Sequence, residues 1–544
     1  MNTLSDKPPK GRKIFRDIPN DTEYVALKKL ADMTGLTPVY IVQQSHVVEL
    51  HIHSLEPIDL EVIRKFRYLR HLDLSGCNKL LSIGAITDLE FLEILILSRT
   101  NISDDDLWLL VGLDNLKVLD ISWTRVSNIT PLSEMMNLVE LYINNTAIGD
   151  LRALANLGRL EKLDISNTKI DDISPLEENS SLRELYMRKT EVSRLLPLIN
   201  NHKLRVLDIG ETPINDIRPI GLAEYMTALY LDDTKIHDFS ILSKFRRLKR
   251  LYLSNTEFSS LDIISGCRKL KVLYIDNTKV VDLRPVIYLE SLYELDLSHT
   301  DILDFSPISK LKGLRILRMD NTHISKLQPI RILKALRVLR LNNIGRINLY
   351  ELQGLENLEE LYISKNYIEN VDGLASFRKL RVLNLSNCNV DDISFLSDLD
   401  NLQELYLFNN SVSDITPLAN LKDLRILVLA RTLTKDITPL SGLKFLRKLS
   451  LWGTKIDDIT PLQHLSKLED LDLRETLVMD IKPLKSLYRL KKLNLSGTPV
   501  SDLEPIVDLA KKGRLVYVDL RLCTRVPKGQ VEELRRLGVK VIWP

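Results

Sequence analysis

The sequence is poor in several features that would indicate a particular chemistry. It has 4 cysteines among 544 residues, and its 75 Lys and Arg are balanced by 73 Asp and Glu, which leaves a net charge of +2. A chain this close to neutral does not have the basic surface with which nucleic-acid-binding proteins contact phosphates. It also has no uncharged apolar run approaching the roughly 18 residues that a membrane helix needs. We therefore expect neither nucleic acid nor a membrane as a partner.

The few cysteines are placed where they cannot pair. Cys77, Cys388 and Cys523 occupy one position of a repeated unit and lie many units apart, while Cys267 lies at a different position. This arrangement predicts a disulfide-free protein from a reducing compartment. The first twenty residues have no apolar stretch of signal-peptide length, so we expect no Sec-type export signal. We predict a cytoplasmic protein, with secretion by a non-Sec route as the alternative.

Sequence motifs of catalysis are missing too. There is no glycine-rich phosphate loop, no HExxH, no GxSxG and no CxxC. Each of these motifs places chemically reactive groups at a required spacing, and nothing in this chain replaces them. We predict that the protein is not an enzyme and uses no cofactor.

What the sequence does contain is one unit repeated along most of its length. In residues 160–181, LEKLDISNTKIDDISPLEENSS, two groups of apolar residues flank a threonine. One strand leucine recurs every 22 residues from Leu119 to Leu493, which makes eighteen units in unbroken register. Further units are centred on Leu50, Leu72, Leu95 and Val518. One unit cannot bury its apolar side chains, but stacked copies can, so the period predicts an elongated solenoid of about 22 repeats.

We predict four segments along the chain. Residues 1–20 are a flexible tail, 21–46 an N-terminal helical cap, 47–524 the solenoid and 525–544 a C-terminal cap. Each cap would cover the apolar end of the stack. The N-terminal helix should end at Gly35, which suits the residue past a helix end.

Two features of the repeat predict its outer and inner turns. Proline in phrases such as IDDISPL favours a short extended or 3₁₀ arc over a full α-helix. A threonine equivalent to Thr168 occurs in fifteen coils. Where the chain turns out of each strand, buried carbonyls lose their hydrogen-bond partners in the sheet, and we expect the threonine hydroxyl to donate to them. Cysteine takes this position in three coils and asparagine does so at Asn366 and Asn410. Ile344 breaks the row, and we predict a local change of curvature there.

Phrases such as LDISNTKIDDISPL and LWGTKIDDITPLQHL resemble the leucine-rich repeats of bacterial internalins and of a related class with 22-residue units. The resemblance covers residues 47 to about 524. It implies an α/β solenoid, a right-handed arc with a parallel concave β-sheet and short 3₁₀ or extended convex segments. It also implies a scaffold or regulator that binds a protein partner on the concave face, and we expect a monomer. The alternative is an exported effector or adhesin of internalin type.

Strand alternation predicts which side chains line the concave face, because residues on either side of the inward leucines point outward. Aromatic and apolar side chains cluster on three successive strands at Tyr406, Phe408, Val428, Ala430 and Trp452. Exposed aromatic clusters are typical binding anchors, although a cap or loop could cover them instead. We weight partner binding towards these residues.

Two further concave surfaces are candidates. Stacked tyrosines at Tyr230, Tyr252 and Tyr274, joined elsewhere by Tyr142, Tyr186 and Tyr362, offer rigid contact area or simply stabilise the sheet. Four arginines, Arg315, Arg318, Arg337 and Arg340, could bind an acidic partner. The favoured interpretation of the arginines is a solvated face neutralised by Asp296 and Asp320.

One polar cluster lies on the first two strands. Glu49, His51, His71 and Asp73 should be mutual neighbours, with His53 nearby. Histidine and carboxylate together can ligate zinc. Because the positions are open to water and no supporting shell can be inferred from sequence, we predict no metal site here.

Overall fold

A computed structural model describes residues 18–543, so the predicted tail lies outside the described residues except for its last three positions. The chain forms two compact units, Met1–Glu257 and Phe258–Pro544. None of the helices within the described residues has the length and apolarity to cross a membrane.

The described residues of the first unit form two α-helices, eleven strands and eight 3₁₀ helices. The α-helices are α1 (Asp21–Thr34) and α2 (Asp104–Trp108). The strands are β1 (Val39–Gln43), β2 (His46–His51), β3 (His71–Asp73), β4 (Ile94–Ile96), β5 (Val118–Asp120), β6 (Glu140–Tyr142), β7 (Lys162–Asp164), β8 (Glu184–Tyr186), β9 (Val206–Asp208), β10 (Ala228–Tyr230) and β11 (Arg250–Tyr252). The 3₁₀ helices are Leu60–Lys65, Gly84–Asp88, Thr130–Glu134, Arg152–Leu154, Ser174–Leu176, Leu196–Leu198, Arg218–Leu222 and Ser240–Lys244.

The second unit repeats this alternation. Its strands are β12 (Val272–Tyr274), β13 (Glu294–Asp296), β14 (Ile316–Arg318), β15 (Val338–Arg340), β16 (Arg346–Asn348), β17 (Glu360–Tyr362), β18 (Tyr367–Glu369), β19 (Val382–Asn384), β20 (Glu404–Tyr406), β21 (Ile426–Val428), β22 (Lys448–Ser450), β23 (Asp470–Asp472), β24 (Lys492–Asn494), β25 (Tyr517–Asp519) and β26 (Lys540–Ile542). The α-helices are α3 (Gln328–Arg331), α4 (Glu504–Lys511) and α5 (Lys528–Arg536). The 3₁₀ helices are Leu261–Ile264, Arg284–Tyr288, Ser306–Lys310, Leu349–Leu352, Val371–Ser376, Ser394–Asp398, Thr416–Asn420, Thr438–Gly442, Thr460–His464 and Lys482–Ser486.

Each coil pairs a three-residue strand with a 3₁₀ arc, as the proline phrases predict. Equivalent leucines lie side by side in parallel register, for example Leu163 with Leu185 in the first unit and Leu405 with Leu427 in the second. These leucines are fully buried. The residues on either side of each central leucine point away from the core, and we call this predicted concave side the open sheet face. The predicted fold class is confirmed.

The N-terminal helix is tied to the first strands by its own polar residues. Asn20 accepts the Glu23 N–H at 3.0 Å as the N-cap, and Gly35 ends the helix with φ 66°. Both ends therefore lie where the sequence predicts. Glu23 is buried and accepts the Val47 N–H at 2.8 Å, which joins α1 to β2.

The threonine row closes each coil. All fifteen threonines donate their hydroxyl to the carbonyl three residues earlier, as Thr168 does to Ile165 at 2.6 Å. The residue before the threonine is left-handed, as at Asn167 with φ 55°. Cys77, Cys388 and Cys523 are free and buried and donate instead to carbonyls of an earlier coil. The predicted structural role of this row is confirmed.

The coil at Ile344 departs from the others. Gly345 has φ 101°, and β16 pairs in parallel with β18 to form a second, two-stranded sheet. The amide of Asn366 in the next coil accepts the N–H of Ile344 at 2.8 Å and of Gly345 at 3.0 Å. Asn366 Nδ2 also donates to Leu341 O at 2.8 Å, so a side chain of the next coil replaces the missing donor. The changed curvature stays a prediction.

One helix and one strand follow the last coil within the described residues. Helix α5 is followed by Gly538 with φ 83°, and β26 extends the sheet beside β25. Val531 and Leu534 are buried, whereas Leu537 lies past the helix and is exposed.

Candidate functional site

The aromatic cluster of the second unit is built by strands of identical register. Phe408, Ala430 and Trp452 occupy the same position in three successive coils, just after β20, β21 and β22. Phe408 and Trp452 therefore lie two coils apart, yet their rings stack at 5.8 Å between centroids and 24° between planes. They close over Ala430, which is only 2% exposed. Ala430 was expected to line the surface and instead lies beneath it, because a methyl group leaves room for both rings to lean together.

Two arginines complete the cluster. The guanidinium groups of Arg431 and Arg474 each lie 4.6 Å from the centroid of the Trp452 ring. Arg474 is held there by Asp472, whose carboxylate accepts its Nη2–H at 2.8 Å. Gly453 has φ 65°, and a Cβ there would lie 3.3 Å from the Arg431 Cγ, so glycine lets Arg431 approach. We call Phe408, Arg431, Trp452 and Arg474 the aromatic–arginine patch.

One donor in this patch has no acceptor. Trp452 is half-buried, and its Nε1–H is buried without a hydrogen-bond partner among residues 18–543. A buried unpaired donor costs about 1–3 kcal/mol.

The other predicted members of the cluster are engaged within the chain. Tyr406 donates its hydroxyl to Glu404 at 2.7 Å, and Val428 lies beside it in the register of β20 and β21. Burial and this hydrogen bond raise the pKa of Tyr406. Tyr406 and Val428 therefore form the half-buried floor beside the patch.

The tyrosine row is structural over much of its length. Tyr142, Tyr186 and Tyr362 each donate to the glutamate two residues earlier, at 2.6, 3.0 and 3.0 Å. Burial and the Glu360 carboxylate raise the pKa of Tyr362 to about 12. The repeated Glu-Leu-Tyr triplet is the sequence signal for this pairing, and it was missed. Such tyrosines have no free polar tip to offer a partner.

The tyrosines of the middle coils fall in both units. Tyr230 and Tyr252 stack at 4.7 Å and 14° in the first unit. Tyr274, in the second, donates to Glu294 and receives a hydrogen bond from Arg318 at 2.8 Å. Ring stacking and these polar contacts both stabilise the sheet, which was the second of the two roles considered for these tyrosines from the sequence.

Three of the four arginines, Arg318, Arg337 and Arg340, form ion pairs within the chain, and one of their partners is a carboxylate predicted from the sequence. Arg340 pairs with Asp320 at 3.0 Å and Arg337 with Glu359 at 2.9 Å. Arg318 pairs with Glu294 at 2.8 Å. Asp296 was named as a neutralising group, but it receives the Ser298 N–H and burial raises its pKa. Arg318 and Arg340 line a polar cavity of about 500 Å³ with Asp320 and Lys365.

The polar cluster of β2 and β3 is assembled as the register predicts. Glu49 lies opposite His71 and His51 opposite Asp73. His51 Nε2 lies 2.7 Å from Glu49 Oε1, and His51 Nδ1 lies 3.1 Å from Asp73 Oδ2. The hydrogen bond to Asp73 raises the pKa of His51, whereas burial lowers that of His71. Although burial favours the neutral acid, hydrogen bonds from His51 and Ser75 lower the pKa of Asp73 to about 2.

The sequence matches the family model of leucine-rich repeats at residues 137–178, 246–288 and 378–420. The model describes two copies of the repeat, and the coils of both units have its strand-and-arc form. The chain has the leucine-rich-repeat fold. No curated protein sequence matches it.

Solved structures share the repeat fold. The plant peptide hormone receptor RGFR1 in complex with RGF2 is 17% identical, with 91% of this chain and 86% of that chain covered and a TM-score of 0.53. The ectodomain of the Arabidopsis thaliana receptor kinase GASSHO1/SCHENGEN3 is 16% identical, with 93% and 80% covered and a TM-score of 0.51. An internalin of Listeria monocytogenes, the family named from the sequence, is 24% identical, with 71% and 88% covered and a TM-score of 0.33.

Sequence reasoning missed the two arginines of the aromatic–arginine patch. Arg431 occupies the left-handed position, with φ 55°, where most coils have Asn, Asp or Gly. A long cationic side chain at such a position was a visible signal. Arg474 lies in the same column as Trp452, one coil later, and that column was read only for aromatic residues.

Proposed function

We propose that this leucine-rich-repeat protein is a non-enzymatic scaffold that binds a protein partner through the aromatic–arginine patch. The leucine-rich-repeat fold generally serves protein–protein interaction, and the two plant receptors above are in complex with RGF2 and with CASPARIAN STRIP INTEGRITY FACTOR 2. The fold supports the class of function. The choice of surface rests on the patch itself.

The Phe408–Trp452 stack flanked by two arginines is the observation that carries the proposal. Tryptophan and arginine dominate the binding energy of protein interfaces, because they combine large rigid area with directed polar groups. In the patch both types lie together, since Arg431 and Arg474 each lie 4.6 Å from the centroid of the Trp452 ring. The Glu-Leu-Tyr tyrosines offer a partner less, since their hydroxyls are already bonded within the chain.

Charge indicates the chemistry of the partner. Arg474 is paired with Asp472, but Arg431 has no carboxylate within 4.0 Å in the described part of the chain. A partner segment with a carboxylate beside an apolar or aromatic side chain would pair with Arg431 and cover the Phe408–Trp452 stack. Such a pair gains strength as the rings exclude water.

The test uses a partner captured by the wild-type chain, identified by mass spectrometry and then purified. Titration with the Phe408→Ala/Trp452→Ala double variant should show binding weakened about tenfold or more, as expected for loss of interface anchors. Trp123→Ala is the matched control, because Trp123 also lies under an arginine, Arg99 at 4.7 Å, but in the first unit. Equal affinity of the double variant and wild type, with unchanged circular dichroism, would refute the patch.

We further propose that the protein is monomeric and acts in the cytoplasm. Three free, buried cysteines suit a reducing compartment. The rival is an exported effector or adhesin. Fractionation of tagged protein separates the two, since recovery only from medium or cell surface contradicts the cytoplasmic assignment.

A further inference from the structure

We propose that Glu49, His51 and His71 bind one zinc ion, with Asp73 as the positioning residue of His51. This site lies in the first unit and is independent of the aromatic–arginine patch. It departs from the sequence-based expectation of no metal site, and the reason is a supporting shell that only the three-dimensional arrangement reveals.

The strand geometry brings the ligands together. Alternate residues of a strand share a face, so Glu49 and His51 of β2 both point to the open sheet face. The parallel register places His71 beside Glu49 and Asp73 beside His51, which makes a two-by-two array of donors. Two ligands from one strand and one from its neighbour surround a single point.

The distances suit one small ion. One donor atom from each of Glu49, His51 and His71 can be chosen so that all lie within 4.8 Å of one another. Glu49 Oε1 lies 2.7 Å from His51 Nε2 and 3.6 Å from His71 Nδ1. Tetrahedral zinc with bonds near 2.1 Å holds its donor atoms about 3.4 Å apart. Side-chain rotations that move the donor atoms by about 1 Å would therefore complete the geometry.

Asp73 supplies the support that zinc-binding histidines use. Its Oδ2 accepts from His51 Nδ1 at 3.1 Å, which directs His51 Nε2 towards Glu49 and the ion. Asp73 Oδ1 accepts the Ser75 N–H at 2.8 Å, so the carboxylate is itself fixed. A carboxylate behind a histidine sets its tautomer and orientation and increases its basicity.

The surroundings of the array are apolar. On one side β1 places Val39 beside His51 and Ile41 beside Glu49, and on the other β4 places Ile94 beside His71 and Ile96 beside Asp73. His71 Nε2 is buried without a hydrogen-bond partner in residues 18–543. The side chains of Glu49, His51 and His71 remain 22–30% exposed, which leaves an entry path and room for a water as a fourth ligand.

The donor set selects the metal class. Two imidazoles with a carboxylate suit zinc and its neighbours, whereas calcium and magnesium take oxygen ligands. Cobalt(II) replaces zinc in such sites and reports its coordination by visible absorption.

The experiment uses the full chain without a histidine tag, freed of metal by a chelator. Calorimetric titration with Zn²⁺ should show one ion per chain, and Co²⁺ should give tetrahedral absorption that Zn²⁺ displaces. His71→Ala and Glu49→Gln should each weaken Zn²⁺ binding more than about 100-fold, and Asp73→Asn should weaken it about 10- to 100-fold. His53→Ala is the matched control, because His53 Nδ1 contacts Ser75 O at 3.1 Å and lies outside the array.

Either of two results would overturn the site. One is wild-type chain that takes up no Zn²⁺ under these conditions. The other is the same affinity in wild type and His71→Ala, which would place the ion elsewhere. Circular dichroism of each variant checks its fold, and His71→Gln provides a milder second variant if His71→Ala unfolds the first coils.

Discussion

Two stretches of the second unit close their coils in different ways. At Thr278, Thr300 and Thr322 the hydroxyl donates to the carbonyl three residues earlier, at 2.6–2.8 Å, so each coil is closed by its own side chain. At Asn366 the amide donates to Ile363 O in its own coil and to Leu341 O in the preceding one. It also accepts two N–H groups of that preceding coil.

Asn410 repeats the arrangement. Its amide donates to Leu385 O and Leu407 O and accepts the N–H groups of Cys388 and Val390. Each asparagine thus follows a coil with Ile344 or Cys388 in the row, where the local hydroxyl is missing. A coil that has no hydroxyl donor in the row therefore receives its hydrogen bonds from the asparagine of the next coil. We expect the energetic coupling between neighbouring coils to be stronger in residues 339–410 than in residues 273–322.

The largest expected effect comes from Asn366→Ala. This change leaves three carbonyls and two N–H groups without this partner, and each buried one costs about 1–3 kcal/mol. Because Ile344 and Gly345 are not fully buried, we expect a total loss of about 3–5 kcal/mol. Urea unfolding measures it, and hydrogen exchange should show deprotection reaching back to residues 341–345. Asn343→Gly is the control, since glycine tolerates the φ of 55° at this position and the exposed Asn343 side chain donates to Asn321 alone among residues 18–543.

Core leucines should not distinguish the two stretches. Leu295 and Leu383 are both fully buried at the same strand position. Replacing either with alanine should cost about 2–5 kcal/mol, and the two costs should agree within about 1 kcal/mol. Chemical unfolding of both variants makes the comparison. A much larger loss at Leu383 would mean that the core, and not the polar row, differs between the stretches.

Removing a threonine hydroxyl should have a smaller and more local effect. Thr300→Val leaves the Leu297 carbonyl without its donor, so we expect a loss of about 1–2 kcal/mol. Hydrogen exchange should change within that coil and hardly beyond it. Thr300→Ser keeps the hydroxyl and serves as the control. If Thr300→Val increased backbone hydrogen exchange over as many residues as Asn366→Ala, the two kinds of coil closure would not differ in range.

The smallest effect is expected from restoring the row at Ile344. Because Leu341 O already accepts from Asn366, Ile344→Thr should change stability by less than about 1 kcal/mol. In an Asn366→Thr background the same change should be stabilising, since each coil can then close itself. A double-mutant cycle by urea unfolding measures this coupling, and additive effects would argue against the compensation.

The fold was largely predictable because its information is periodic. The 22-residue interval, the inward leucines and the threonine donors recur so often that the 3₁₀ arcs and parallel register followed directly. The polar array of Glu49, His51, His71 and Asp73 was also placed correctly, since register alone makes those residues neighbours. Its supporting hydrogen bonds were not, because they depend on side-chain rotation.

The candidate surface was predicted less completely. Phe408 and Trp452 were identified, but the burial of Ala430 and the roles of Arg431 and Arg474 were not. Arg318 was expected beside Asp296 and pairs with Glu294 instead. These contacts join residues 20 to 44 positions apart, and long side chains choose among several neighbours at similar distance.

By itself the sequence determined the repeat, the buried rows and the donor that closes each coil, because these follow from alternation along a strand and from a fixed period. Only the tertiary structure decided how Asn366 serves two coils, how two rings close over Ala430 and how Asp73 holds His51. The physical reason is that stacking brings side chains of different coils within about 5 Å, where packing and hydrogen-bond geometry select one contact among several that the period allows equally.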